Sequence, residues 1–353
     1  MNSFGPDQPT TAHEDFLASW LRSRGNVRRF IEQYILPPGT DASQRAAGEA
    51  AAMAALSETY GLDFDDFSAG VESVSGAFES AGRATVTAPD PDIPQDPGAA
   101  AFFDIDNTLI QGASLIMIGT GMFRRRFVTF RDVLPMVWKQ AKFRFIGAED
   151  ASDVASGREQ ALDLIRGQHV ADLVELSEEI VNHHMLEKIW PGTRELAEMH
   201  LAAGQQVWLV SATPVQVAQI LAQRLGLTGA LGTVAEVDDA GRFTGKLVGD
   251  ILHGAGKTHA VAALAAVNKL DLERCTAYSD SVNDIPMLSM VGTPVAINPD
   301  RPLFRYATER GWTVRDYRHV RRAIRTVGLP VALLGVATAV GAGVVAWRRW
   351  GRE

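Results

Sequence analysis

Four short apolar runs, AAFFD (100–104), QQVWLVS (205–211), CTAYSD (275–280) and PVAIN (294–298), are separated by stretches in which apolar residues recur at helical spacing. Strands that are apolar on both faces must be covered on both faces, and helix-length connections between them cross over the sheet. The pattern predicts an α/β fold: a Rossmann-like parallel sheet core between helices. One connection is too long for a single crossover. Residues 111–190 read as several amphipathic helices, with apolar positions Leu162, Ile165, Leu173, Leu176 and Ile180. Open α/β sheets bind ligands beyond the carboxyl ends of their strands, so an insertion after the first strand is expected to form a helical cap there.

The chain therefore divides into a core at 99–111 and 191–317 and an inserted cap at 112–190. Ahead of them, residues 1–87 read as a helical N-terminal extension. Phe16, Leu17, Trp20, Val27, Phe30, Ile31 and Tyr34 share a helical period, and 46–60 is alanine-rich. The stretch PDPDIPQDPG within 88–98 holds four prolines and three aspartates, a composition for an extended linker. The lone cysteine, Cys275, excludes an internal disulfide and a cysteine zinc site. A formal charge of −8 excludes a nucleic-acid backbone as main partner.

Asp104 and Asp106 close the first strand two residues apart, the spacing that turns two side chains to one side of an extended chain. Such a pair can divide the roles of nucleophile and general acid. A calcium loop would need glycine and glutamate where Leu109 and Leu115 stand. Ser211 ends the second strand, Lys257 opens the helix KTHAVAALAAVNKL, and SDSVND (279–284) sets Asp280 and Asp284 after the third strand, hard oxygen ligands suited to Mg²⁺. Each alone reads more readily as an ordinary residue, Ser211 as a cap, Lys257 as a solvated helix-start lysine, Asp280 and Asp284 as a turn and a cap, and it is the ordered set that departs from this. HGAGKT (253–258) is not a nucleotide-binding loop, which would need glycine where Ile251 stands.

The ordered set of DIDNT, a serine after an apolar strand, a lysine and SDSVNDIPML resembles the haloacid dehalogenase-like superfamily, in its branch related to phosphoserine phosphatase. The resemblance implies a Mg²⁺-dependent phosphomonoester hydrolase working through an aspartyl-phosphate. Asp104 would be the nucleophile and Asp106 the general acid and base. Ser211, Lys257 and Asn283 would serve the phosphate. The metal would be held by Asp104, Asp106 (through its carbonyl), Asp280 and Asp284. The phosphoserine enzymes carry a glutamate nine residues after the nucleophile; Ala113 stands there, so phosphoserine is not the expected substrate. Cations and aromatics at Phe123–Phe127, Trp138, Lys139 and Lys142 suit a larger anionic or amphipathic phosphomonoester, or else a solvated charged face over buried aromatics; a lipid-derived phosphate is the reading that the C-terminal apolar run adds.

Residues 326–347 carry no charge over 22 positions, ~33 Å as a helix. They are expected to form a transmembrane helix, with the catalytic domain held at the cytoplasmic face of the plasma membrane because Arg315, Arg318, Arg321, Arg322 and Arg325 precede the run. Gly335, Ala339 and Gly343 would allow two such helices to pair as a homodimer. The alternative is a membrane-tethered scaffold with little turnover, against which the intact acidic and basic set weighs.

Overall fold

The structure, a computed structural model, describes residues 54, 57–81, 85–125, 162 and 165–318. Seven strands form one sheet: β1 (Ala100–Phe103), β2 (Gln206–Pro214), β3 (Gly229–Val237), β4 (Phe243–Val248), β5 (Thr276–Ser279), β6 (Thr293–Ile297) and β7 (Thr313–Arg315). Their order is β4-β3-β2-β1-β5-β6-β7. All neighbouring pairs are parallel except β3 and β4, which pair antiparallel. The expected parallel α/β core is present.

Strand β1 lies at the centre, every residue buried, as the uninterrupted apolar run requires. Its alternation sorts the two cores. Ala100 and Phe102 join one with Trp208 and Val210, while Ala101 and Phe103 join the other with Val207 and Leu209. The first face is covered by α1 (Phe64–Glu79) and, later in the chain, by α6 (Ala255–Asn268), α7 (Ile285–Ser289) and α8 (Arg301–Glu309). The second carries α2 (Ser114–Arg124), α3 (Val170–Ile180), α4 (Pro191–Ala202) and most of α5 (Val215–Arg224).

Helix α1 begins at Asp63, whose side chain accepts the amide of Asp66 at 2.9 Å. It lies so close to α6 that a Cβ on Gly70 would overlap the carbonyl oxygen of His259. Ser73 Oγ accepts the amide of Asp250, and Gln219 Nε2 donates to the carbonyl of Ala77. The described end of the N-terminal extension is thus built into the core. The proline-rich 88–98 stretch forms neither helix nor strand and turns twice, at Pro91–Ile93 and at Pro97–Gly98. It is also strapped down: Asp90 and Asp96 donate their amides to Ala202 and Ala203 at 2.9 and 2.8 Å, and Asp96 pairs with Arg274.

In the cap, α2 meets α3 at Gly121, where a Cβ would sit 2.9 Å from Ile180 Cδ1. Arg125 bridges Glu175 and Glu179 at 3.0 and 2.8 Å, so this cation is engaged within the cap. Trp138, Lys139 and Lys142 lie outside the described residues.

The expected transmembrane helix requires correction. No helix among the described residues is long and apolar enough to cross a membrane, and 326–347 lie outside them. A charge-free run licenses a length, whereas a span requires a helix that presents it. The plasma-membrane localisation inferred from that run is withdrawn with it.

Candidate active site

The residues singled out from the sequence gather where β1, β2 and β5 end. The amide of Asp104 donates to Tyr278 O at 2.9 Å, continuing the β1–β5 ladder by one residue and fixing the side chain at the sheet's rim. The chain then folds back. Asn107 takes a left-handed backbone conformation (φ +54°), which asparagine tolerates better than most residues. Its carbonyl accepts Asn298 Nδ2 at 2.8 Å. This return brings the first residue of α2 against the second acid: Ser114 N donates to Asp106 Oδ1 at 2.8 Å.

Lys257, in the first turn of α6, reaches the centre. Its Nζ lies 2.5 Å from Asp104 Oδ1 and 2.6 Å from Asp284 Oδ2. Ser279 Oγ donates to the same Asp284 oxygen at 2.6 Å. Lys257 and Asp284 are 4% and 2% exposed, so the ammonium is sequestered with its partners. The helix can start here because Gly256 packs against the carbonyl of Ile251, leaving no room for a Cβ.

The charges set the chemistry. Burial pushes the Asp104 carboxyl up to about 8, with Asp284, Asp280 and Asp106 adding to the rise and Lys257 opposing it. Burial likewise raises Asp280 to about 7, against a hydrogen bond from Asn107 and the field of Lys257. Asp106 is raised by burial and partly relieved by the hydroxyl and amide of Ser114. For Lys257, burial alone would lower the ammonium, but Asp104 and Asp284 outweigh it and hold it charged. Four carboxyls near one ammonium do not all ionise together, so the raised ones retain protons that a bound divalent cation would displace by supplying the missing positive charge.

Among the described residues no three carboxylate, histidine or cysteine groups converge as a closed metal cage. Mg²⁺ does not require one, since it binds through one or two carboxylates and retains waters. The acid-rich, hard-oxygen surroundings of Asp104 and Asp280 fit that ion.

Ser211 is buried at the end of β2, with its hydroxyl 2.8 Å from Thr213 Oγ1. Asn283 lies in the short 3-10 turn Val282–Asp284 and donates its amide to Ser281 Oγ at 3.3 Å. Sequence reasoning missed several contributors. Thr213 shares a face with Ser211 two residues away, Ser279 supports Asp284, and Asp300 accepts the amide of Val282 at 3.0 Å and caps α8. The i, i+2 rule applied to Ser211 would have found Thr213.

A sequence model of the haloacid dehalogenase-like hydrolase family matches residues 101–289, the span from β1 through α7. A protein of Mycobacterium tuberculosis named phosphoserine phosphatase SerB1 is 59% identical over 245 residues, 69% of this chain and 79% of that protein. The Streptomyces azureus inhibition of morphological differentiation protein is 35% identical, over 72% of this chain and 93% of that one. A crystal structure of a Bordetella pertussis protein of unknown function superposes with a TM-score of 0.56 at 28% identity, covering 63% of this chain and 99% of that one. With matched residues running from the acid-tipped central strand to the SDSVND turn, the chain belongs to the haloacid dehalogenase-like hydrolase family and is a phosphatase.

Proposed function

We propose that the protein hydrolyses phosphomonoesters through an aspartyl-phosphate on Asp104, with Mg²⁺ as cofactor. The observation that carries this reading is the bridge from Lys257 to Asp104 and Asp284. A carboxylate can attack a dianionic phosphate only where fixed positive charge offsets the repulsion, and Lys257 is held there. An Asp104 oxygen bonds to phosphorus as the ester oxygen departs, and Asp106 gives that oxygen its proton. Asp106 then takes a proton from water, whose oxygen attacks the phosphorus and returns Asp104 as a carboxylate. Ser211 and Lys257 hold the phosphate oxygens, and Asn283 orients the group. Asp104, the Asp106 carbonyl and Asp280 would hold the metal, with Asp284 behind them, and bound Mg²⁺ would neutralise phosphate charge.

The substrate is read from Ala113. It stands at the N-cap of α2, directly before the residue that fixes Asp106, and brings no carboxylate for an ammonium beside the phosphate. A phosphomonoester lacking that amine is therefore the preferred class. The Mycobacterium tuberculosis relative bears the name phosphoserine phosphatase, so phosphoserine belongs in the comparison. The test is kcat/KM across a phosphomonoester panel with Mg²⁺. Preference for phosphoserine over all others would reverse the specificity reading, and substantial turnover by Asp104→Asn would overturn the mechanism.

A further inference from the structure

Three buried hydroxyls form a row between the two halves of the site, and the hydrolytic steps leave the middle one without a role. Ser114 Oγ lies 2.6 Å from Thr213 Oγ1, and Thr213 Oγ1 lies 2.8 Å from Ser211 Oγ. The amide of Thr213 also donates to Ser211 Oγ at 3.1 Å. None of the three residues is more than 4% exposed. The β2–β3 register shifts between Val210 and Pro214, and Gly232 packs against the Thr213 carbonyl, so the backbone is shaped to hold Thr213 in place.

Proton counting restricts what the row can do. Three hydroxyls bring three protons and share two contacts, so one proton is left over, at either end of the row or on Thr213 itself. At the Ser114 end the neighbour is Asp106, which draws on both the amide and the hydroxyl of Ser114, so the Ser114 proton is shared between Asp106 and Thr213. At the other end lies Ser211. We propose that Thr213 is a positioning residue: it directs the Ser211 hydroxyl toward a phosphate oxygen, and through Ser114 it ties the first turn of cap helix α2 to the phosphate site. The inference rests on reading Ser211 as a phosphate ligand. With an oxyanion bound, Ser114 donates to Thr213, Thr213 donates to Ser211, and Ser211 donates to the phosphate. Buried hydroxyls in such a chain polarise one another, so loss of the middle member is felt at both ends.

The test uses the full-length enzyme with Mg²⁺. Inorganic phosphate is titrated calorimetrically, and KM and kcat are measured with p-nitrophenyl phosphate. Thr213→Val, which keeps the branch and removes the hydroxyl, is expected to weaken phosphate binding about tenfold and to raise KM more than it lowers kcat. Thr213→Ser, which keeps the hydroxyl, should bind within about twofold of the parent on the same scale. Phosphate affinity unchanged in Thr213→Val, or lost equally in Thr213→Ser, overturns the proposal. Should Thr213→Val fail to fold, Ser114→Ala breaks the row from its far end, and unchanged phosphate binding there overturns it as well. Ser211→Ala separates the two levels. Weakened binding in Ser211→Ala with none in Thr213→Val removes this proposal alone, whereas unchanged binding in Ser211→Ala removes the phosphate-site reading and this proposal together.

Discussion

At the scale of single residues, the site concentrates like charge at the expense of the fold. Asp280 is half-buried near Asp104 and Asp284, and Lys257 bonds to both of those carboxylates. Asp280→Asn is therefore expected to raise Tm in EDTA by a few degrees while abolishing the rise in Tm that Mg²⁺ gives the parent, both read by thermal denaturation. His200 offers a second reading. It is buried between Tyr278, whose hydroxyl lies 2.8 Å from Nε2, and Gln205 at Nδ1. Burial lowers its pKa below the usual histidine value, with the Gln205 contact opposing. The unfolded chain then binds a proton that the folded chain refuses. The stability this contributes is complete above about pH 6.5 and declines as pH falls from there through the folded pKa. His200→Gln should flatten that acid limb in a Tm series from pH 7.5 to 5, and an unchanged slope would refute the assignment. The acids, Lys257 and Ser211 were legible in the sequence because chemistry fixes their type and order. Thr213 was within reach only as a same-side neighbour of Ser211 on β2, while its tie to Ser114 on α2 joins residues remote in sequence and could not be read.

At the scale of elements, the apolar runs located β1, β2, β5 and β6 and helical periodicity located α3, yet β3, β4 and β7 went unread and nothing said what each helix packs against. Helix α1 shows this. Its apolar stripe, including Phe67, Val71 and Val74, announces a buried face, but the surface that buries it is α6, the helix carrying Lys257. The close approach at Gly70 predicts a sharp response. Gly70→Val should force the helices apart and cost about 2 to 4 kcal/mol, measured by urea denaturation. The same change at exposed Gly61 meets open space, and its cost comes from the left-handed backbone (φ +67°) alone, so it should be smaller, about 1 kcal/mol. Comparable effects at both positions would show that the α1–α6 contact is not tight. The proline-rich stretch carries the same lesson. Its composition read as an extended linker, whereas the chain turns twice there, and its hydrogen bonds to Ala202 and Ala203 depend on where α4 ends.

At the scale of the whole molecule, the folded unit begins before the family match does. Residues 101–289 hold every proposed catalytic group, but α1 lies upstream and covers the α6 face of the sheet. A chain started at residue 85 should therefore lose soluble yield and cooperative unfolding relative to one started at residue 54, as judged by gel filtration and thermal melting. Equal behaviour would make α1 an accessory.

The docking of α1 on α6 also bears on biosynthesis. Gly70 and His259 are separated by about 190 residues, and β1 waits for β5 across a similar interval. At about 5 to 20 residues per second, ~10 to 40 s pass between emergence of the helix and emergence of its partner. During that time the face formed by Phe67, Val71 and Val74 has only the earlier strands of its cluster to pack against and waits for the helix that completes its burial.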